Sequence, residues 1–192
     1  MFLGRYTFGL SSSQTSREEV GRALFPAVKL FAGFLYPDED TLSSALDRLR
    51  ALWGDVQRVS SSFPFEHTDY YAQISPHLLR RFASFCGLRH AGKLSRWKQQ
   101  AIEVERQSGI TRKINIDPGY IDGARVVLAS TKDHAHRVYL RDGIYAEVTL
   151  RFRQGRWLPF DYTFPDFRSG AYDAFLDLVR EDWKKERREG QI

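Results

Sequence analysis

The sequence predicts an α+β fold, with a ferredoxin-like β-α-β-β-α-β order, an extended and mainly antiparallel sheet, and a C-terminal amphipathic helix. Three observations carry this reading. Apolar residues recur at helical spacing in three segments, while other short segments alternate or run apolar between Gly, Pro and Asp. The two kinds of segment interleave at first, and then consecutive strands lead to a last helix. Finally, 192 residues with 42% hydrophobic and 14% aromatic content suit one domain with a sizeable core.

Taken in order, Val28–Tyr36 is an apolar run ended by Pro37-Asp-Glu-Asp, which predicts a buried strand. Leu42, Ala45, Leu46, Leu49, Leu52 and Trp53 then recur at helical spacing, with Thr41 as cap and Gly54 at the C-terminal position. Strands are predicted over Val56–Phe65 and Leu78–Cys86. A second helix spans Arg96–Gln107, capped by Ser95, and Lys113–Asp117 is an alternating strand. This β-α-β-β-α-β order predicts both helices on one face of an antiparallel sheet. Segments 124–131, 134–141, 144–153 and 156–163 extend the sheet. A last helix over 171–188 places Tyr172, Phe175, Leu176, Val179 and Trp183 on one stripe.

Residues 1–26 read as a variable N-terminal extension, because Gly4, Arg5 and Gly9 break the apolar run a signal peptide needs. Residues 27–190 form the single domain. The only cysteine, Cys86, excludes an internal disulfide and fits a reducing compartment; its apolar surroundings predict a packing role. No segment approaches the roughly 20 apolar residues of a membrane span, so a cytoplasmic protein is expected. The net charge of +5 comes from 29 basic and 24 acidic residues, interspersed, and favours anionic partners only mildly.

The segment His134–Leu150 turns at Arg141-Asp142-Gly143. A two-residue loop would set Val138 against Glu147 and Arg137 against Val148, mixing the two faces. A three-residue loop with Gly143 left-handed sets Leu140 against Ile144, Val138 against Ala146 and His136 against Val148. Tyr139 then meets Tyr145 and Arg137 meets Glu147 on a polar face, flanked by Thr149 and Arg151. The consistent pattern predicts the three-residue loop and an Arg137–Glu147 ion pair, with His134 and His136 on the apolar face. Such a His-x-His pair can chelate a metal or sit as imidazoles satisfied within the core. No further His or Cys lies nearby to complete a site, so no metal ligand is predicted.

Several landmarks occur together: Lys29-Leu-Phe-Ala-Gly-Phe-Leu-Tyr36, Phe63-Pro-Phe with Thr68-Asp-Tyr-Tyr71, and Asn115-Ile-Asp-Pro-Gly-Tyr120. Ser130-Thr-Lys-Asp133, Asp142-Gly-Ile-Tyr-Ala-Glu-Val-Thr-Leu150 and Tyr162-Thr-Phe-Pro-Asp-Phe-Arg-Ser169 follow. In this order and spacing they resemble a prokaryotic family catalogued as domain of unknown function 4416, over about residues 27–185. The resemblance implies no activity. Members are sometimes labelled GTP-binding, but this chain lacks the Gly-x-x-x-x-Gly-Lys-Ser/Thr loop that cradles phosphates.

The polar chemistry is densest between Asp117 and Arg168. Asp117-Pro118-Gly119-Tyr120 reads as a strand closed by a turn, its carboxylate placed either to cap the turn or to act as a base. Thr131-Lys132-Asp133 joins two strands, and Lys132 is a candidate anion contact. Tyr162–Ser169 is a rigid loop, with Ser169 capping the last helix and Asp166 pairing with Arg168 or a strand arginine. Thr68–Tyr71 offers a turn or a pocket wall. The candidate site therefore has Asp117, Glu147 and Asp166 as catalytic carboxylates, with Lys132, Arg137, Arg168, Tyr120 and Tyr145 binding the ligand. Its expected partner is a phosphate-bearing small molecule or nucleotide, clamped by arginines. RNA stacked on Tyr139 and Tyr145 ranks lower. A non-catalytic interaction domain is the third class, and it expects the polar segments to lie apart or to pair only with one another.

Overall fold

A computed structural model describes residues 26–65, 74–75, 77–109 and 112–190. Thr68–Tyr71 and most of the N-terminal extension lie outside the described residues. The elements run β1 (Ala27–Tyr36), α1 (Glu39–Trp53), β2 (Val56–Val59), β3 (Phe63–Phe65), β4 (Leu78–His90), α2 (Leu94–Arg106), β5 (Asn115–Ile121) and β6 (Arg125–Ser130). Then come β7 (Val138–Arg141), β8 (Ile144–Arg153), β9 (Arg156–Pro159), the single turn α3 (Pro165–Arg168) and α4 (Asp173–Arg188). The result is an α+β domain whose strands follow the order β2-β4-β1-β5-β6-β8-β7, with β3 beside β4 and β9 beside β8. Every pairing is antiparallel.

Strand β1 is buried from Val28 to Tyr36, and its alternate residues serve two cores. Val28, Leu30, Ala32, Phe34 and Tyr36 pack beneath Leu42, Leu46 and Leu49 of α1 and Trp97, Ala101 and Val104 of α2. Phe31 points the other way and joins Phe82 of β4 against Phe167, Tyr172, Phe175, Leu176 and Val179. The sheet is thus covered by α1 and α2 on one face and by α3 and α4 on the other.

The N-terminal caps of the helices differ from the sequence expectation, while the C-terminal glycine of α1 is as expected. Asp38, not Thr41, caps α1, and its carboxylate accepts from Thr41 N at 2.8 Å. Gly54 takes the C-terminal position at φ 83°. Ser95 is buried inside α2, which follows a 3-10 turn at Ala91–Lys93. Ser169 closes α3 rather than opening α4, and its hydroxyl donates to Asp166 O at 2.6 Å. The expected strand 56–65 is two short strands, both paired to β4.

The hairpin corrects one prediction and keeps its register. Arg141 pairs with Ile144, so the loop has two residues, Asp142 at φ 53° and Gly143 at φ 72°. An irregularity at Leu140 absorbs the extra residue, which leaves Val138 opposite Ala146 and Tyr139 opposite Tyr145. All of β7 is exposed, so Val138 and Leu140 do not face a core. His136 is also outside the core: it stacks on Tyr162 with ring centroids 4.2 Å apart and reaches Glu147 Oε2 at 3.1 Å. Cys86 is exposed rather than packed, beside Gly87 at φ 76°. Among the described residues no helix is long and apolar enough to cross a membrane.

Candidate functional site

Asp117-Pro118-Gly119 does not close a strand; it lies within β5, which runs on to Ile121. What ends there is a pairing. β5 pairs with β1 over Asn115–Ile121, but with β6 only over Gly119–Ile121. Pro118, just before that pairing starts, has no N–H to donate. Gly119 admits the close approach of β6, since a Cβ there would stand 2.5 Å from Val127 O. The sheet therefore opens between Asn115–Pro118 and the end of β6. Side chains of α2 fill the missing ladder: Glu105 Oε1 accepts from Ile116 N, and Lys98 Nζ donates to Ile116 O, both at 2.7 Å.

A cavity of about 540 Å³ occupies this opening. Its floor is a charge bridge laid across β1. Arg80 of β4 and Asp117 of β5 flank Gly33, which pairs with Asp117 on one side and with Phe82 on the other. Directly opposed residues share a sheet face, so the Arg80 guanidinium passes over the position where Gly33 lacks a side chain. Any Cβ there would lie 3.1 Å from Arg80 Nη1 and 2.9 Å from Phe82 Cε1. Arg80 meets Asp166 Oδ2 at 3.2 Å and Asp117 Oδ2 at 3.8 Å. Asp117 also accepts from Lys98 at 3.1 Å and from Asn115 Nδ2 at 2.7 Å. Burial alone would raise its carboxyl, but Lys98 and Arg80 outweigh burial and hold it below the usual aspartate range.

The two other predicted carboxylates are more fully engaged. Asp166, 1% exposed, accepts from Phe167 N at 2.8 Å and from Tyr172 hydroxyl at 3.1 Å besides Arg80. Burial and Asp166 together push the Tyr172 phenol far above its usual range. Glu147 takes Arg137 Nε at 2.8 Å, His136 Nε2 at 3.1 Å and Thr149 Oγ1 at 3.3 Å. Arg137 is held in turn by Ser130 Oγ at 2.8 Å and Lys132 O at 3.1 Å. The expected Arg137–Glu147 pair thus forms, although Arg137 precedes β7 instead of lying within it.

Asp117, Lys132, Arg137, Glu147 and Asp166 all line the one cavity. Arg168, Tyr120 and Tyr145 do not. Arg168 turns to Asp161 O at 3.3 Å, so the strand arginine, Arg80, takes the partner Arg168 was a candidate for. Tyr120 packs against the α1–α2 core, and Tyr145 sits beside Tyr139 and Asp133. Sequence reasoning missed Arg80, Lys98, Glu105, Arg106 and Arg112, which line the same cavity. Two signals pointed to three of them. An arginine inside a predicted buried strand needs a partner. Lys98 and Glu105, seven residues apart, flank the apolar stripe of α2 on one helix face.

The lining carries six basic side chains (Arg80, Lys98, Arg106, Arg112, Lys132, Arg137) against four acidic ones (Glu105, Asp117, Glu147, Asp166). Among the described residues no group of three or more His, Cys, Asp or Glu is arranged to hold a metal. One family model matches the chain, over residues 26–183, and its description is domain of unknown function (DUF4416). No curated protein and no solved structure matches.

Proposed function

The chain belongs to that family of unknown function, and we propose that its cavity binds a phosphate-bearing small molecule or nucleotide. The observation that carries this is the charge of the lining, in which basic groups from β4, α2, the segment before β5 and the β6–β7 connection outnumber the acids by two. Arg80 and Lys98 are consumed by the floor, where they hold Asp117, Asp166 and Ile116 O. Arg106, Arg112, Lys132 and Arg137 lie around the opening, Arg112 beside Glu105 and Arg137 beside Glu147, and are the anion contacts in this reading, since planar guanidiniums suit phosphate oxygens. Asp166 and Glu147 position cations in this reading. Asp117, kept ionised, orients Lys98 and Arg80.

The scaffold supports the same reading. The order β2-β4-β1-β5, with α1 and α2 crossing on one face, fits a ferredoxin-like unit over residues 27–121 to which β6–β9 were added. The cavity lies at that junction, as ligand sites between structural units often do.

Thermal shift with nucleotides, sugar phosphates and pyrophosphate, with and without Mg²⁺, tests it. A ligand at a hundredfold excess over its Kd adds about 2.7 kcal/mol, or roughly 5–10 °C for a chain of this size. Arg137→Ala should remove most of that shift. Stabilisation by none of these compounds would overturn the proposal.

A second reading is favoured by Tyr139, 57% exposed on β7 and edge-to-face with Tyr145 at 5.4 Å, a surface on which RNA bases could stack. Salt-sensitive retention of RNA by the purified protein supports it, and clean protein at low salt removes it.

A further inference from the structure

We propose that Glu105 is the proton acceptor of the cavity: as the anion enters, Glu105 takes a proton from solvent, and its Oε2 then donates a hydrogen bond to an anion oxygen. The inference rests on the cavity being an anion site. The step converts a carboxylate to a carboxylic acid, with water or buffer supplying the proton and no bond of the ligand broken.

The geometry divides the work of the two oxygens. Oε1 is committed to Ile116 N at 2.7 Å, in place of a strand partner. Oε2 faces Arg112 Nη1 at 3.3 Å, longer than a well-formed charged hydrogen bond. Arg112 is one-third exposed, so its charge is screened, whereas the Glu105 side chain is only 5% exposed. The groups facing Glu105 come from three segments: Lys98 at 3.8 Å on its own helix, Arg112 before β5, and Asp117 on β5. Burial is the largest influence and raises the Glu105 carboxyl above its usual range, even though Lys98, the Ile116 amide and Arg112 pull it down.

Asp117 makes the contrast. Both carboxyls contact the same ammonium of Lys98, at 3.1 Å for Asp117 and 3.8 Å for Glu105. Each carboxyl faces two cations, but those of Asp117, Lys98 and the buried Arg80, outweigh its burial, whereas Lys98 and the one-third exposed Arg112 do not outweigh that of Glu105. Two neighbouring carboxyls pushed apart in this way divide into a permanent anion and a proton carrier. A dianion placed among Arg112, Lys132 and Arg137 adds negative charge beside Glu105 and favours its protonation further. It also competes for Arg112, whose charge a neutral Glu105 no longer needs. The ligand chemistry this selects is an oxyanion with an acceptor oxygen to spare, as in a phosphate monoester dianion.

The test uses sulfate, a dianion that does not titrate near neutrality, so any proton taken up belongs to the protein. Calorimetric titration between about pH 5.5 and 8 in buffers of different ionisation enthalpy counts protons per sulfate bound. Uptake approaching one proton is expected, with affinity falling up to about tenfold per pH unit as pH rises. Glu105→Gln keeps an acceptor for Ile116 N; it should bind sulfate with pH-independent affinity and no proton uptake. Wild-type binding without uptake overturns the inference, and that measurement does not depend on how the variant folds. Uptake that persists in Glu105→Gln but vanishes in His136→Gln also overturns it, since the proton then belongs to the imidazole that meets Glu147 at 3.1 Å. If neither sulfate, pyrophosphate nor a nucleotide binds at all, the anion reading of the cavity fails first and takes this inference with it.

Discussion

Gly33 is a residue whose missing atoms matter more than those it has. The Arg80 guanidinium occupies the space above it, linking Asp117 and Asp166 across the strand between them. Gly33→Ala should crowd both Arg80 and Phe82, costing about 1–3 kcal/mol in urea unfolding. It should also weaken any anion-induced thermal shift. Arg80→Met removes the cation itself and strands a carboxylate that is 1% exposed, so a larger loss of about 3–5 kcal/mol is expected. Asp117 sets an acid limb. Its folded carboxyl is held low, so its contribution is present above the unfolded aspartate value and lost as pH falls through the folded one. Asp117→Asn should flatten that part of the stability-pH curve, below about pH 4; an unchanged acid limb would refute the assignment. Glu105 has the opposite sign. Its raised carboxyl contributes most at low pH and loses that contribution as pH rises through the folded value.

Helix α4 is fastened to the sheet by charge as well as by its apolar stripe. Lys29 of β1, fully buried, pairs with Glu186, and Arg58 of β2 grips Asp182 through two hydrogen bonds. Asp182 and Glu186 stand four residues apart, one turn along the same helix face. Trp183, between them, donates to Ala27 O at 2.7 Å. Glu186→Ala leaves Lys29 buried without its partner and should cost about 3–5 kcal/mol, whereas Lys29→Met with Glu186→Leu should recover most of it. Equal losses in the single and double variants, measured by denaturant unfolding, would refute this. The stripe over 171–188 was readable from sequence because helical spacing is local. The clamps were not, because Lys29 and Glu186 lie 157 residues apart and only the fold introduces them. The hairpin shows the same division. Alternation found the Tyr139–Tyr145 register, but it could not reveal that a bulge at Leu140 lets a two-residue loop reach it.

Across the molecule, the β1–β4 ladder is interior to the sheet, and β1 is buried under helices on both faces, while β7 is a short exposed edge. Native-state hydrogen exchange should find the slowest amides in β1, with opening energies near that of global unfolding, and fast exchange in β7. Equal protection of the two would contradict this layering. The cavity was half legible for a related reason. Lys132, Arg137 and Asp166 lie in polar segments between strands and helices, and Asp117 and Glu147 are charged residues within strands, where sequence advertises them. Lys98 and Glu105 sit on an amphipathic helix whose pattern reads as ordinary surface. Their role depends on a missing strand neighbour, and strand pairing is not a local property.

The bridge over Gly33 also has a consequence for descent. A glycine on β1, an arginine on β4, an aspartate on β5 and an aspartate in α3 are each tolerable only in the company of the others. In related chains these four positions should therefore vary as one inherited set. A larger residue at position 33 should accompany a shorter one at position 80, and an isolated exchange at any single position should be rare.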